Sequence, residues 1–360
     1  MPACLHINIP TDNPRLRMIR PVGNMAADFR EHSARCITIG LVNNMPDGAL
    51  EATERQFLSL LNAASVGIEV RLRLYSLPGV PRSDQAASRV KAFYSSTESL
   101  GNTQLDGLIV TGREPLTPCL ADEPYWASFT DVLEWAQENT YSAVWSCLAA
   151  HAALLHSDGV SRIKSGSKHC GVFECTRVEN HALTANTPSR FSLPHSRWNG
   201  LSEEVLTSCG YRVLTRTTDA GVDTFVKKYK SLFVFFQGHP EYESDTLLLE
   251  YRRDVGRYLK GDTDVYPSMP ENYFDRDTVI ALTALQQEAM LIPRSLLLTA
   301  ASRVLSKVRV ENRWRSTATC IYSNWLEYIC AQKHLQIKRG KTDSQELRSD
   351  ESALVAIAAS

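Results

Sequence analysis

A thiol, an imidazole and a carboxylate, which together can do acyl-transfer or amide chemistry, stand at the ends of two apolar runs. Val144-Trp145-Ser146-Cys147 ends in a cysteine and continues as Leu148-Ala149-Ala150-His151-Ala152-Ala153-Leu154-Leu155, the pattern of a strand, a sharp turn and a helix. A thiol delivered to the first turn of a helix lies beside unpaired backbone N–H groups and the positive end of the helix dipole, which favours the thiolate. Phe233-Val234-Phe235-Phe236 is a second buried-strand pattern, and it runs out into Gly238-His239-Pro240-Glu241. In open α/β sheets reactive groups collect at the carboxyl ends of strands, so Cys147 and His239 can meet although they are far apart in sequence. Cys147 is then the candidate nucleophile, His239 its base and Glu241 the group that orients the base. The plain alternative is that a lone cysteine in an apolar run is a small buried hydrophobe. The second run, ending in a base and a carboxylate, weighs against it.

The elements that would position these residues alternate. Cys36–Val42 is a β-rich run closed by the turn residues Asn43-Asn44-Met45-Pro46-Asp47-Gly48, and Leu50–Ala63 puts Phe57, Leu60 and Leu61 on one helical face. Val66–Tyr75 alternates apolar and charged residues, as a strand near a sheet edge would, whereas Leu105–Gly112 reads as a more buried strand. Tyr125–Gln137 is a helix with Trp126, Phe129, Val132 and Leu133 inward. After the Cys147 unit, Lys168–Cys175 and Arg212–Leu214 are expected as strands, with Pro194–Trp198 in a turn between them. Phe225–Tyr229 and Leu232–Phe236 are expected as a hairpin. Thr246–Leu259 reads as a helix closed by Gly261, Thr278–Val308 as one or two helices, and a last helix lies about Asn324–Tyr328. This alternation predicts an α/β fold: a three-layer, open, mostly parallel sheet with flanking helices and an added helical C-terminal segment. The expected organisation is an irregular arm at 1–35, one α/β domain at 36–335 with a helical insertion at about 275–312, and a polar, partly disordered tail at 336–360.

Composition narrows the function. The chain has 360 residues, 43% of them hydrophobic and 22% charged, with a net charge of −1, so it offers no broad field for nucleic acid or anionic membrane. Small-molecule substrates are the expected partners, and a homodimer is compatible. No apolar run approaches the roughly 18 residues of a membrane span, and the first residues lack a charged-then-apolar leader pattern; the expected location is cytoplasmic. Nine scattered cysteines suit a reducing compartment. His169, Cys170 and Cys175 match no zinc spacing, so no metal is expected. The chain has no internal repeat and no Gly-rich dinucleotide or phosphate-loop fingerprint.

The ordered pieces Asn44-Met45-Pro46, Thr53-Glu54-Arg55-Gln56-Phe57, Asp106–Gly112, Gly171-Val172-Phe173-Glu174, Pro194-His195-Ser196-Arg197, Gly238-His239-Pro240-Glu241-Tyr242, Arg253-Asp254-Val255 and Trp314-Arg315-Ser316 carry a resemblance. From about Ile37 to Gln332 the chain resembles the homoserine O-acyltransferases of the succinyltransferase type, whose fold is similar to that of class I glutamine amidotransferases. The resemblance implies acyl transfer from acyl-CoA, a co-substrate rather than a bound cofactor, to the hydroxyl of homoserine through a cysteine thioester, within methionine biosynthesis. It places the nucleophile at Cys147, the histidine at His239 and the carboxylate at Glu241, in agreement with the residue-level reading. It also implies amino-acid contacts at Lys168, Ser196 and Arg253; a guanidinium fits a carboxylate in a bidentate fork. Taken alone, Arg253 with Glu250 and Asp254 nearby reads as a surface ion pair, and Lys168 as a solvated cation.

The chain departs from the family in three places. Asp47-Gly48 stands where two lysines usually follow Met-Pro, the link between Asn272-Tyr273-Phe274 and Trp314 is longer, and the loop that sorts acyl donors is Arg113-Glu114-Pro115-Leu116-Thr117. With neither Leu116 nor Thr117 acidic, and with Arg113 able to attract a carboxylate, the loop favours succinyl over acetyl, although Glu114 works against this. Serine as acceptor, glutamine hydrolysis in the same fold, and a non-catalytic amidotransferase-like binding module are the competing readings.

Overall fold

The computed structural model describes the backbone of residues 34–289 and 294–358, and the side chains of 34–289 and 299–339. Nearly all of the N-terminal arm that the sequence sets apart falls outside the described residues. The strands are β1 (Cys36–Val42), β2 (Glu69–Ser76), β3 (Ser95–Ser96), β4 (Gly107–Thr111), β5 (Ser142–Ser146), β6 (Ile163–Arg177), β7 (Arg190–Gly200), β8 (Arg212–Thr217), β9 (Gly221–Lys228) and β10 (Leu232–Phe236). The helices are α1 (Leu50–Ala64), α2 (Asp84–Phe93), α3 (Trp126–Asn139), α4 (Leu148–Asp158), α5 (Glu203–Ser208), α6 (Thr246–Lys260), α7 (Arg276–Glu288), α8 (Arg294–Leu305) and α9 (Arg315–Ala358).

All ten strands form one sheet in the order β3-β2-β1-β4-β5-β10-β9-β8-β6-β7. The five pairings from β3 to β10 are parallel and the four from β10 to β7 are antiparallel. The central strands β4, β5 and β10 are buried along their whole length, which is why they read as unbroken apolar runs. In β2, by contrast, Val70, Leu72 and Leu74 are buried while Glu69, Arg71 and Arg73 are only half covered, the alternation of a strand near the edge.

Helices cover both faces. On one, Ile37, Ile39 and Leu41 of β1 pack with Phe57, Leu60 and Leu61 of α1 and with Trp325 and Ile329 of α9. On the other, Leu108, Val110 and Trp145 pack with Phe129, Val132 and Leu133 of α3 and with Leu154 of α4. Burying a Leu, Ile or Phe side chain stabilises by about 1.5–3 kcal/mol, so these two clusters hold the sheet between its layers. The helices of the 275–312 segment form a third cluster: Leu282 and Leu285 of α7, with Ala301 and Leu305 of α8, meet Tyr251, Val255 and Tyr258 of α6. The polar segment that the sequence sets apart at 336–360 continues the backbone of α9 as far as Ala358.

One local expectation is overturned. Pro194–Trp198 is not a turn but the middle of β7, paired antiparallel with β6 so that Pro194 faces Val172. Proline lacks an N–H and is tolerated in a sheet at an edge, and β7 is the outermost strand.

Candidate active site

Strands β5 and β10 are adjacent and parallel, with Ser146 opposite Phe236 in register. Their carboxyl ends therefore open side by side, and the next residues of each chain segment, Cys147 and the Gln237-Gly238-His239 turn, start from the same place. Cys147 caps α4 with φ 51° and ψ −112°, a conformation that a non-glycine residue adopts at a cost of about 1–3 kcal/mol. Its own N–H donates to Phe236 O at 2.7 Å, tying the strained elbow to the strand that carries the histidine.

His239 is buried, and its Nδ1 lies 2.8 Å from Oε1 of the buried Glu241. Burial alone would lower the pKa of this ring. The Glu241 carboxylate and the Cys147 sulfur, which is within hydrogen-bonding reach of the imidazole, outweigh burial and hold the pKa well above the ordinary histidine value. The imidazole thus interacts with both the thiol and the carboxylate. Tyr242 stacks on His239 with ring centroids 4.2 Å apart, and its carbonyl accepts from Trp314 Nε1 at 2.8 Å, so the segment leading into α9 clamps the His-Pro-Glu-Tyr turn from outside.

The loop after β4 closes the other side of the elbow. A Cβ on Gly112 would sit 2.6 Å from Leu148 Cβ and 2.8 Å from the amide nitrogens of Leu148 and Ala149, so only glycine fits there. Those first-turn N–H groups have no partner within the helix and can receive a developing oxyanion. Arg113 lines the cleft beside them together with Asn44, Tyr125, Phe129 and Leu148. Its Nη1 is shut off from solvent with no hydrogen-bond partner.

The rest of the 113–117 loop turns elsewhere. Glu123 Oε1 accepts from Leu116 N at 2.6 Å, Thr117 N at 2.8 Å and Thr117 Oγ1 at 2.9 Å, and the Leu116 side chain is exposed. Glu114 is exposed, and its charge acts on Arg253. In place of the missing lysines, Asp47 pairs with Arg82 at 3.2 Å, and Arg82 also donates to the carbonyls of Asn43 and Met45.

Lys168, Ser196 and Arg253 converge on two carboxylates of α6. Ser196 Oγ donates to Glu250 Oε2 at 2.6 Å, while Lys168 Nζ lies 3.5 Å from Asp254 and 4.0 Å from Glu250. Arg253 pairs with Asp254 through both Nε and Nη2 at 2.9 Å, and its side chain is 58% exposed. Tyr242 Oη donates to Glu250 Oε1 at 2.7 Å. One aromatic ring therefore joins this cluster to the His239 imidazole. The sequence reading named Glu250 only as a default ion-pair partner and gave Tyr242 no role; the signal for Glu250 was its place one helical turn before Arg253 and Asp254.

Among the described residues, Cys175, His195 and Asp223 have ligand atoms within 4.8 Å of one another, all buried. Asp223 already accepts from Thr215, Thr224 and Gly238, and Arg197 Nε points at His195 Nδ1 at 3.3 Å. The cluster is an internal polar network, with a cation built in where a metal would compete. Among the described residues no helix is long and apolar enough to cross a membrane.

A model of the homoserine O-succinyltransferase family matches residues 6–335. The homoserine O-succinyltransferase of Rhodopseudomonas palustris is 43% identical over 323 residues, covering 90% of this chain and 97% of that protein. That of Methylorubrum extorquens is 42% identical over 308 residues, 86% of this chain and 91% of that protein. Among solved structures, a glutamine amidotransferase from Thermotoga maritima aligns with a TM-score of 0.42 at 12% identity, covering 82% of this chain and 98% of that one.

Proposed function

Since the chain belongs to the homoserine O-succinyltransferase family, we propose that it transfers the succinyl group of succinyl-CoA to the hydroxyl of homoserine, in methionine biosynthesis, by way of a thioester on Cys147. The observation that carries the covalent route is the strained Cys147 elbow aligned with the His239–Glu241 pair. In the first half-reaction the Cys147 sulfur attacks the thioester carbonyl, the carbonyl oxygen takes the negative charge against the α4 N–H groups, and CoA leaves as a thiol with the His239 proton. In the second, the hydroxyl gives its proton to His239 as its oxygen attacks the Cys147 thioester, and the sulfur leaves as thiolate. Glu241 holds the ring in one orientation and stabilises its charged form throughout.

The acceptor reading rests on the α6 cluster. A zwitterionic amino acid brings one ammonium and one carboxylate, and Glu250 and Asp254 beside Lys168 and Arg253 offer both counter-charges. Arg253→Lys keeps the charge and loses the planar fork, so the homoserine KM should rise by about tenfold while the succinyl-CoA KM stays within about twofold. Steady-state kinetics with each substrate varied in turn checks this, and equal rises in both would assign Arg253 a structural ion pair only.

The donor reading rests on Arg113, which lines the cleft beside the elbow and keeps a buried Nη1 without a partner, while Glu114 acts on Arg253 instead. Four assays, homoserine or serine against succinyl-CoA or acetyl-CoA, compared by kcat/KM, test the whole proposal; homoserine with succinyl-CoA should lead. In the same assays Arg113→Met should lower kcat/KM for succinyl-CoA by roughly tenfold or more and leave acetyl-CoA nearly unchanged, since acetyl has no terminal carboxylate to lose. A wild-type preference for acetyl-CoA would overturn the donor assignment.

A further inference from the structure

The turn that carries His239 hangs from a buried network that the two half-reactions do not use. Three successive amide groups at the end of β10 each have a partner in it. Gln237 N–H donates to Asp223 O at 3.0 Å, Gly238 N–H to Asp223 Oδ1 at 3.2 Å and His239 N–H to Pro194 O at 2.8 Å. The fit is close: a Cβ on Gly238 would lie 2.8 Å from Asp223 Oδ1 and 3.0 Å from His195 Nε2.

Asp223 is wholly buried, and its other oxygen accepts from Thr215 Oγ1 at 2.8 Å and Thr224 Oγ1 at 2.7 Å. Burial pushes its pKa up, and the donors from Thr224, Thr215 and Gly238, with the charge of Arg197, work against that push. His195, also wholly buried, stands between the two charges. Arg197 Nε donates to its Nδ1 at 3.3 Å, which fixes the tautomer with the proton on Nε2; that nitrogen lies 3.3 Å from Asp223 Oδ1 without the alignment of a hydrogen bond. Burial, reinforced by Arg197 and His239, keeps the His195 ring neutral by lowering its pKa well below the usual value. Arg197 itself is spoken for: its two terminal nitrogens donate to the carbonyls of Asn199 and Ala220. It is also close enough to Cys147 for the two charges to interact. Cys175, a further titratable neighbour along with His169 and His151, stays a neutral thiol because burial, with Asp223, raises its pKa.

We infer that Asp223, balanced through His195 by Arg197, is the positioning residue of this enzyme: it fixes the Gln237-Gly238-His239 turn so that the imidazole meets Cys147. Oδ1 takes the Gly238 N–H and Oδ2 takes two hydroxyls, so the site is lined by donors and suits a carboxylate. In Asp223→Asn the amide NH2 must face either the two threonine hydroxyls or the Gly238 N–H and His195 Nε2. A misplacement of about 1 Å can cost on the order of 100-fold in rate. Asp223 and His195 are both wholly buried, so the substitution should leave substrate binding alone.

The inference rests on Cys147 and His239 acting as proposed, and the experiment separates the two. Asp223→Asn is compared with wild type for kcat, for both KM values, and for the pH dependence of Cys147 alkylation by iodoacetamide followed by mass spectrometry, with thermal melting to establish folding. The expected result is a folded protein whose kcat is down roughly 100-fold, with both KM values within about threefold. Its Cys147 alkylation curve should move to higher pH, because a displaced imidazolium no longer favours the thiolate. A folded variant with wild-type kcat, or one whose loss of kcat leaves the alkylation curve in place, overturns the inference. If Asp223→Asn does not fold, Thr224→Val, which removes one donor to Asp223 and no charge, is read by the same criteria with a smaller expected loss. Wild-type alkylation at residues other than Cys147 would instead undo the nucleophile assignment.

Discussion

Cys147→Ala should abolish turnover, with kcat lower by roughly 10⁴-fold or more, because no other group at the elbow can hold the acyl chain between the two half-reactions. Intact-mass spectrometry gives the complementary result. Wild-type protein incubated with succinyl-CoA and no acceptor should gain one succinyl mass, carried on the peptide that contains Cys147, and added homoserine should discharge it. The alanine variant should gain none. The fold should survive the change: in alanine the same Cα remains at φ 51°, and the anchoring N–H to Phe236 O is a backbone bond that the substitution does not touch. An adduct on another residue under turnover conditions would falsify the thioester route.

Glu241→Gln should have the second-largest effect. In the wild type, His239 Nδ1–H donates to Glu241 Oε1, which leaves Nε2 to exchange protons with the sulfur and with the incoming hydroxyl. A glutamine amide can turn its NH2 toward Nδ1, and this selects the opposite tautomer, whose Nε2 carries a proton and cannot act as a base. A fall in kcat of roughly 10³-fold or more follows. The pH profile moves as well, and its sign follows from the charges. The Glu241 carboxylate, with Cys147, raises the pKa of His239 against burial. Without that carboxylate the imidazolium loses its proton at lower pH. The alkaline limb of kcat/KM for succinyl-CoA, which reports the protonated imidazole needed by departing CoA, should therefore shift toward lower pH. A shift toward higher pH, or no shift with an unchanged kcat, would sink the assigned role.

Much of this site was legible in the sequence because parallel strands at the centre of a sheet are buried on both faces. Val144–Ser146 and Phe233–Phe236 are such strands, and each delivers a reactive residue as soon as it ends. Local chemistry hid other parts. Pro194 suggested a turn, and only its place on an edge strand explains how it fits in β7. Helix α2 escaped notice because Ala86 is its one fully buried residue, so its apolar periodicity is faint. The acceptor cluster depends on contacts between α6 and the β6–β7 pair, such as Ser196 to Glu250, which span 54 positions. Periodicity tells which face of a helix is apolar, not which strand its polar face will meet. The hydrogen bonds of Asp223 were hidden for the same reason, since a single buried aspartate in a β-rich segment has no spacing to betray it.

The change of strand direction at β10 has a consequence for how such an enzyme can be altered. Everything proposed for the acyl donor, the Cys147 elbow after β5 and the Arg113 loop after β4, belongs to the parallel half of the sheet. Lys168 and Ser196, proposed for the acceptor, belong to the antiparallel half, on β6 and β7. His239 leaves β10, the strand shared by both halves, and with Cys147 it serves both half-reactions. Donor and acceptor choice are thus written on separate stretches of chain that meet at a common hinge of chemistry. Grafting the β6–β7 hairpin of a relative together with its helix α6 should retune the amino acid while leaving the preference for one acyl chain over another where it was.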